Sequence, residues 1–186
     1  YGGPGVQVVR RGWGSNTDQV HAARGYIVFS IDNRGTPNRG RSFERAISRK
    51  LGGPEVEDQL AGLAFLKAQT YVDSSRIGVW GWSYGGYMAL RLATEAPEAY
   101  AAYVSGAPVT DWSLYDTHYT ERFMGKPQDE ADAYSTSSVL PRLKNVKRPL
   151  LILHGMADDN VTFDNSTAAF DALQSASIPF ETMVYP

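Results

Sequence analysis

The sequence of 186 residues contains no cysteine. Disulfide frameworks, thiolate metal sites and cysteine nucleophiles are therefore excluded, while both reducing and oxidising compartments are permitted. The sequence also lacks an apolar run long enough to span a bilayer and a signal-peptide pattern at its start. The compartment stays open, with the periplasm or the cell surface slightly preferred for the full-length protein.

An excess of charge of one sign is also missing. Eighteen Lys and Arg residues nearly balance 20 Asp and Glu residues, which leaves a net charge of −2. This balance gives no reason to expect nucleic acid or an anionic membrane as a partner. The arginine-rich stretch at 34–50 lacks the clustered aromatic residues that stack on bases, so we predict no nucleic-acid partner.

Short apolar strand patterns alternate with helical patterns along the chain. The strand patterns lie at 25–32, 76–82, 99–108, 149–155 and 180–186, and helical patterns at 55–69, after residue 83 and near 163–176 separate several of them. This alternation predicts an α/β fold with a mostly parallel sheet and helices on both of its faces. Because the chain opens on a turn and closes on an apolar strand, we expect 1–186 to be part of a single domain, truncated at both ends.

The segment GWSYGG at 81–86 places a serine between an apolar strand pattern and a helical pattern. A Gly-x-Ser-x-Gly turn in this context predicts a nucleophile elbow, which lifts the Ser83 hydroxyl off the end of the sheet. The backbone N–H of Tyr84, at the start of the helix, would then be free to stabilise an oxyanion. The alternative is a glycine-rich turn whose serine only caps the helix.

A carboxylate partner for Ser83 is expected on the loop after the strand PLLILHG. The loop continues as MADDNV, so the candidates are Asp158 and Asp159. In α/β hydrolases the acid follows the nucleophile along the chain and lies on a loop of this kind. The alternative is a polar loop that solvates itself or caps the next helix.

The base is harder to find, because the chain has only three histidines. His21 precedes the nucleophile in a polar stretch, His118 lies in an aromatic segment, and His154 ends the strand that introduces the acid. We expect none of them to serve Ser83. The histidine should follow the acid, so we expect it beyond Pro186 and predict that the chain by itself is inactive.

Several longer segments carry a resemblance to a known family. They are YGGPG at residue 1, DNRG (32–35), KLGGPEVEDQ (50–59), GWSYGGY (81–87), GAPVTDWSLYDTHYTERFMG (106–125) and HGMADDNV (154–161). In these segments the chain resembles the catalytic domain of the prolyl oligopeptidase family of serine peptidases, and most of all its dipeptidyl peptidase IV branch. The resemblance covers nearly the whole chain in order.

The resemblance implies a role for particular residues. It makes Ser83 the nucleophile and Asp158 the acid, and it makes the hydroxyl of Tyr1 a second oxyanion donor beside the Tyr84 N–H. A pocket for a proline ring is implied for Tyr84, Val109, Trp112, Tyr115, Tyr119 and Val161, and Asn160 would bind a substrate carbonyl. For the aromatic residues the alternative is plain core packing.

The resemblance also implies an activity. It is that of a serine exopeptidase that releases N-terminal Xaa-Pro dipeptides, and less readily Xaa-Ala dipeptides, through an acyl-enzyme and without a metal or organic cofactor. The β-propeller domain of such enzymes is absent from this chain, and the full-length relatives are often homodimers. The alternatives are an acylaminoacyl peptidase, a prolyl oligopeptidase or an esterase on the same fold, or a non-catalytic binding homologue.

Overall fold

The computed structural model describes residues 1–186 and contains one four-stranded sheet. Its strands are Val79–Trp82 (β1), Tyr103–Gly106 (β2), Leu150–Gly155 (β3) and Glu181–Tyr185 (β4). They lie in the order β1-β2-β3-β4, and every neighbouring pair is parallel. All four carboxyl ends therefore meet at one edge of the sheet, the edge at which open α/β sheets bind ligands.

Seven α-helices precede, connect or flank the strands. They are Asn16–Ala23 (α1), Arg41–Arg45 (α2), Pro54–Lys67 (α3), Tyr84–Glu95 (α4), Thr117–Met124 (α5), Ala131–Ser137 (α6) and Asp164–Ser175 (α7). Short 3-10 helices lie at Trp112–Leu114 and Leu140–Asn145. None of the helices has the length and apolar character needed to cross a membrane.

The predicted helices after Ser83, at 55–69 and near 163–176 correspond to α4, α3 and α7. Helix α3 begins with Pro54, whose missing N–H is not needed in the first turn of a helix. Helix α4 lies directly over β1 and β2 and is buried along nearly its whole length. The predicted α/β fold with a parallel sheet and flanking helices is confirmed.

The other face of the sheet is more open. Trp82, Gly106, Leu153 and Met183 stand in register across the four strands. The side chains at the two ends of this row, Trp82 and Met183, are 49% and 50% exposed. Contacts between helices and sheet come mainly from α4 on the opposite face, so the cover predicted for both faces is seen on one face in this chain.

The predicted strand at 25–32 is not formed. Tyr26, Ile27, Val28 and Phe29 have the composition of a strand, but the structure gives this segment no strand and leaves all four side chains exposed. A strand needs a hydrogen-bonded neighbour, and β1, at the edge of the sheet, pairs only with β2. The apolar pattern therefore identified a segment with strand propensity, but it did not show whether a neighbouring strand is available for pairing.

Candidate active site

Ser83 joins β1 to α4 in a strained conformation. Its backbone has φ 58° and ψ −118°, a combination that costs on the order of 1–3 kcal/mol in a residue other than glycine. Two hydrogen bonds hold it there: the Ser83 N–H donates to the Gly106 carbonyl at 2.9 Å, and the Tyr87 N–H donates to the Ser83 carbonyl at 3.0 Å. The Ser83 side chain does not cap α4. The structure thus has the geometry of an elbow and not of the capping alternative.

Glycines let the helix and the strands approach each other at this elbow. A Cβ on Gly81 would lie 2.3 Å from the Gly85 carbonyl oxygen, and a Cβ on Gly86 would lie 2.3 Å from that of Gly106. Real Cβ atoms do not approach backbone atoms so closely. Gly85, whose Cβ would lie 3.2 Å from the Cα of Tyr1, leaves room for the first residue of the chain. The predicted need for small residues on both sides of Ser83 is confirmed.

Two groups beside Ser83 could stabilise an oxyanion. Tyr84 is the first residue of α4, so its N–H has no acceptor within the helix. Burial raises the pKa of the Tyr1 hydroxyl, and the nearby hydroxyls of Tyr119 and Ser83 offset part of the rise. A phenol with a raised pKa stays protonated at neutral pH and can donate. Tyr1 and the Tyr84 N–H therefore both lie beside Ser83.

The loop that follows β3, residues 156–161, contains two aspartates with different surroundings, and we call it the acid loop. The Oδ1 atom of Asp158 accepts hydrogen bonds from the backbone N–H groups of Asn160 and Val161, both at 3.0 Å. The Asp158 side chain is 23% exposed, whereas Asp159 is classed as exposed and no hydrogen bond orients its side chain. The loop thus fixes the orientation of Asp158.

None of the three histidines is arranged as a base for Ser83. His154 is fully buried, with Nδ1 2.7 Å from the Ser166 hydroxyl and Nε2 2.8 Å from the Val161 carbonyl. Because a carbonyl only accepts, Nε2 carries a hydrogen, so one ring nitrogen holds the loop after β3 at Val161 and the other contacts Ser166 on α7. His118 is exposed on α5, and His21, on α1, packs against Tyr26.

The aromatic residues predicted for a pocket form one connected group. We call Tyr84, Tyr87, Trp112, Tyr115 and Tyr119 the aromatic cluster. Trp112 lies at its centre, with ring centroids 5.1–6.0 Å from those of the other four. Trp112 and Tyr84 are 1% exposed, while Tyr115 and Tyr119 are partly exposed. The cluster thus has a buried floor and an accessible rim.

The remaining predicted pocket residues border the cluster. Val109 and Val161 are both 2% exposed and belong to the same core. Asn160 accepts a hydrogen bond from the Tyr115 hydroxyl at 2.6 Å through its amide oxygen. The structure therefore brings together Tyr1, Ser83 and the predicted aromatic residues, and it links Asn160 to their rim.

Cavities do not by themselves locate the site. One of about 380 Å³ lies where β3 and β4 begin, between Val146 and Glu181, at the edge away from Ser83. Another of about 260 Å³ is lined by Pro4, His118, Tyr119 and Arg122 among others. This second cavity adjoins the aromatic cluster through Tyr119. Ser83 directly follows β1, so we place the candidate site at the carboxyl edge of the sheet. No three His, Asp or Glu side chains lie close enough together to hold a metal ion.

Comparison with known families matches residues 14–186 to the model of the prolyl oligopeptidase family. The chain belongs to the prolyl oligopeptidase family. Its relatives in this family include dipeptidyl peptidase 8 of Mus musculus, 39% identical over the whole chain, and a probable dipeptidyl-aminopeptidase B of Fusarium vanettenii, 41% identical over the whole chain. The chain spans 22% and 21% of these two proteins.

Solved structures of the prolyl oligopeptidase family have the same fold. The dipeptidyl peptidase 4 of Porphyromonas gingivalis superposes with a TM-score of 0.95 at 39% identity. A putative dipeptidyl aminopeptidase IV of Bacteroides ovatus superposes with a TM-score of 0.96 at 41% identity. Each match covers all of this chain and about a quarter of the other, 26% and 27%. The α/β-hydrolase fold predicted from the sequence is thus confirmed.

Two residues of this family member were not predicted as part of the site. Tyr87 lies one turn after Tyr84 on α4 and contacts both Tyr84 and Trp112, so helical spacing could have identified it. Glu55 is completely buried and accepts a hydrogen bond from the Tyr84 hydroxyl. In the sequence it is only a first-turn acidic residue of a helix, and nothing local indicates that its side chain reaches α4.

Proposed function

We propose that the chain is part of the catalytic domain of a serine exopeptidase, which releases N-terminal dipeptides ending in proline and, less readily, in alanine. The observation that carries this proposal is the strained elbow of Ser83 beside an aromatic cluster. Flat aromatic faces suit the rigid apolar ring of proline, because they bury much area at little entropic cost. The names of the relatives as dipeptidyl peptidases support the same activity.

The residues have separate roles in this reaction. The Ser83 oxygen attacks the carbonyl carbon of the second substrate residue, while its proton passes to a histidine base. The Tyr84 N–H and the Tyr1 hydroxyl stabilise the negative charge that develops on the carbonyl oxygen. Protonation of the leaving amine completes the acyl-enzyme, which water then hydrolyses to release the dipeptide.

The base in this proposal is a histidine that follows β4 in the full-length protein, oriented by Asp158. The register of the sheet supports this position, because the Met156 N–H of the acid loop donates to the Tyr185 carbonyl at 2.7 Å. A residue shortly after Tyr185 would therefore lie beside Asp158. We further propose that the rest of the full-length protein contains a β-propeller domain that binds the free amino terminus of the substrate.

The experiment is a comparison of substrates and variants in the full-length protein. A free-amino Xaa-Pro anilide should be cleaved at least about 100-fold faster than its N-acetylated form, because the uncharged amide leaves buried polar partners unpaired. Ser83→Ala should abolish turnover without loss of folding, since alanine removes only the hydroxyl. Equal cleavage of the acetylated form would favour an acylaminoacyl peptidase or an esterase. Absence of turnover in the wild type would favour a binding homologue.

A further inference from the structure

Glu55 connects helix α3 to the residue after the nucleophile. Its Oε1 atom accepts hydrogen bonds from the Tyr84 hydroxyl at 2.5 Å and from the Gly52 N–H at 3.1 Å. Its Oε2 atom is buried and has no partner. A buried polar atom without a partner costs stability, so packing alone is a poor explanation for a carboxyl at this position.

Gln59 connects the same helix to the segment that carries Tyr1. It lies four residues after Glu55, on the same side of α3. The Gln59 amide donates to Asn33 Oδ1 at 2.9 Å, and Asn33 Nδ2 donates to the Gly2 carbonyl at 2.8 Å. Asn33 is 2% exposed. This chain of two hydrogen bonds therefore ends at the carbonyl of Gly2, the residue next to Tyr1.

Both oxyanion donors are thus tied to one helix. Glu55 accepts a hydrogen bond from the side chain of Tyr84, whose N–H is one donor. Gln59 holds Gly2 through Asn33, and Gly2 is the neighbour of Tyr1, whose hydroxyl is the other donor. We propose that Glu55 and Gln59 are positioning residues, which align the Tyr84 N–H and the Tyr1 hydroxyl on the same oxygen of the substrate. This inference rests on the proposed function, since it assigns the alignment to the reaction of Ser83.

A role in aligning the two donors predicts a specific change in the kinetic constants. Donors that must meet a developing oxyanion act in the transition state more than in the ground state. Loss of one such donor lowers kcat by about 10²–10³, so misalignment should cost somewhat less. A residue that serves only folding would instead lower the melting temperature and leave the kcat of the folded protein unchanged.

The experiment uses the full-length protein with Glu55→Leu, Glu55→Gln and Gln59→Met. The matched control is Glu57→Gln, because Glu57 lies on the same helix, is 73% exposed at its side chain and pairs with Arg34 instead. Five quantities are measured for each protein. They are kcat and KM on an Xaa-Pro anilide, the affinity for a peptide boronic acid that forms a tetrahedral adduct, the affinity for the product dipeptide, and the melting temperature.

Glu55→Leu and Gln59→Met should each lower kcat about 10- to 100-fold, with KM changed less than about threefold. Boronate affinity should fall in parallel with kcat, while product affinity stays constant. Glu55→Gln should recover most of the loss, because its amide oxygen still accepts from Tyr84, and Glu57→Gln should match the wild type. The proposal is overturned if kcat holds while stability falls, or if KM alone rises.

If Glu55→Leu does not fold, Gln59→Met tests the inference alone, because Gln59 is partly exposed.

Failure of the proposed function would look different from failure of this inference. A wild type that cleaves no peptide but reacts with a fluorophosphonate would refute the proposed release of N-terminal dipeptides. The same variants would then be compared by their rates of Ser83 phosphonylation, which need oxyanion donors but no peptide specificity. If the wild type reacts with neither reagent, both proposals fall.

Discussion

Two carboxylates of the candidate site, Asp158 and Glu55, are held in opposite ways. Asp158 lies on a loop, is 23% exposed, and receives two backbone N–H groups on one oxygen. Glu55 lies in the first turn of a helix, is completely buried, and has one oxygen bonded and the other without a partner. Solvent and two backbone amides surround the Asp158 carboxylate, whereas burial of Glu55 opposes a charge and raises its pKa.

This difference in exposure and hydrogen bonding suits the two carboxylates to two different tasks near a nucleophile. A carboxylate that orients a histidine and stabilises its cation must carry a negative charge, which the setting of Asp158 allows. A carboxyl that fixes the position of a neighbour needs an acceptor oxygen but not a charge. Glu55 meets this second requirement through the Tyr84 hydroxyl. The changes at Asp158, Tyr84 and Glu55 described below should each affect one carboxylate and leave the other in place.

The largest effect is expected from Asp158→Asn. The amide keeps one oxygen for the Asn160 and Val161 N–H groups, so the loop should stay folded, but the negative charge is lost. Removal of this charge from a serine, histidine and aspartate triad lowers kcat by about 10⁴. The measurement is kcat of the full-length protein on an Xaa-Pro anilide.

The matched control for this change is Asp159→Asn on the adjacent exposed residue, which should retain wild-type kcat. If Asp159→Asn shows the large loss and Asp158→Asn does not, the assignment of the acid is wrong.

The next effect is expected from Tyr84→Phe, which removes the partner of Glu55 and keeps the aromatic ring in the cluster. Loss of a buried hydrogen bond to a carboxyl should lower the free energy of unfolding by about 1.5–3 kcal/mol. Denaturant unfolding measures this change. Tyr71→Phe, at a tyrosine that is 68% exposed, is the control and should change the free energy of unfolding by less than about 0.5 kcal/mol. Equal stability of Tyr84→Phe and wild type would show that Glu55 does not hold this side chain.

A smaller effect is expected in the pH dependence of stability. Burial raises the pKa of Glu55, and hydrogen bonds from Tyr84 and Gly52, with the charge of Arg91, offset part of the rise. Because the folded-state pKa exceeds the unfolded value of 4.5, the stability that this group contributes is fully present below that pH and is lost as pH rises through the folded-state pKa.

Glu55→Gln carries no such group. Its free energy of unfolding relative to that of wild type should therefore increase over the pH range above 4.5. Parallel unfolding curves for the two proteins over this range would contradict the raised pKa. Glu57→Gln serves again as the exposed control.

The smallest effect is expected from Asn160→Ala at the rim. The hydrogen bond from the Tyr115 hydroxyl is lost at a partly exposed position, so stability should fall by no more than about 1 kcal/mol. Loss of one neutral hydrogen bond to the substrate should raise KM about two- to tenfold with little change in kcat. A large fall in kcat would instead assign Asn160 to the transition state.

Local pattern predicted much of the fold and the centre of the site. Gly81, Ser83 and Gly85 lie in one short turn, so their spacing alone indicates the elbow that the structure shows. The strand before Asp158 likewise predicts that a carboxylate comes off the sheet edge. These predictions succeed because the interactions that decide them lie within a few residues of each other.

Other features depend on contacts between distant segments. Glu55 contacts Tyr84 across 29 positions of the chain, and no local pattern specifies that contact. The residues at 25–32 have strand propensity, but pairing decides whether a strand forms, and pairing is set by neighbours elsewhere in the sheet. The sequence order of acid and base already argued against His154 as the base. Its burial, by contrast, could be seen only in the structure.

The glycines at the elbow have a mechanical consequence. Where side chains separate a helix from a sheet, rotamer changes can absorb a small displacement of either element. At Gly81 and Gly86 the backbones of α4 and the strands touch with no side chain between them. We therefore expect a displacement of the sheet edge to move α4 and Ser83 together, because no side chain lies between the backbones to absorb it.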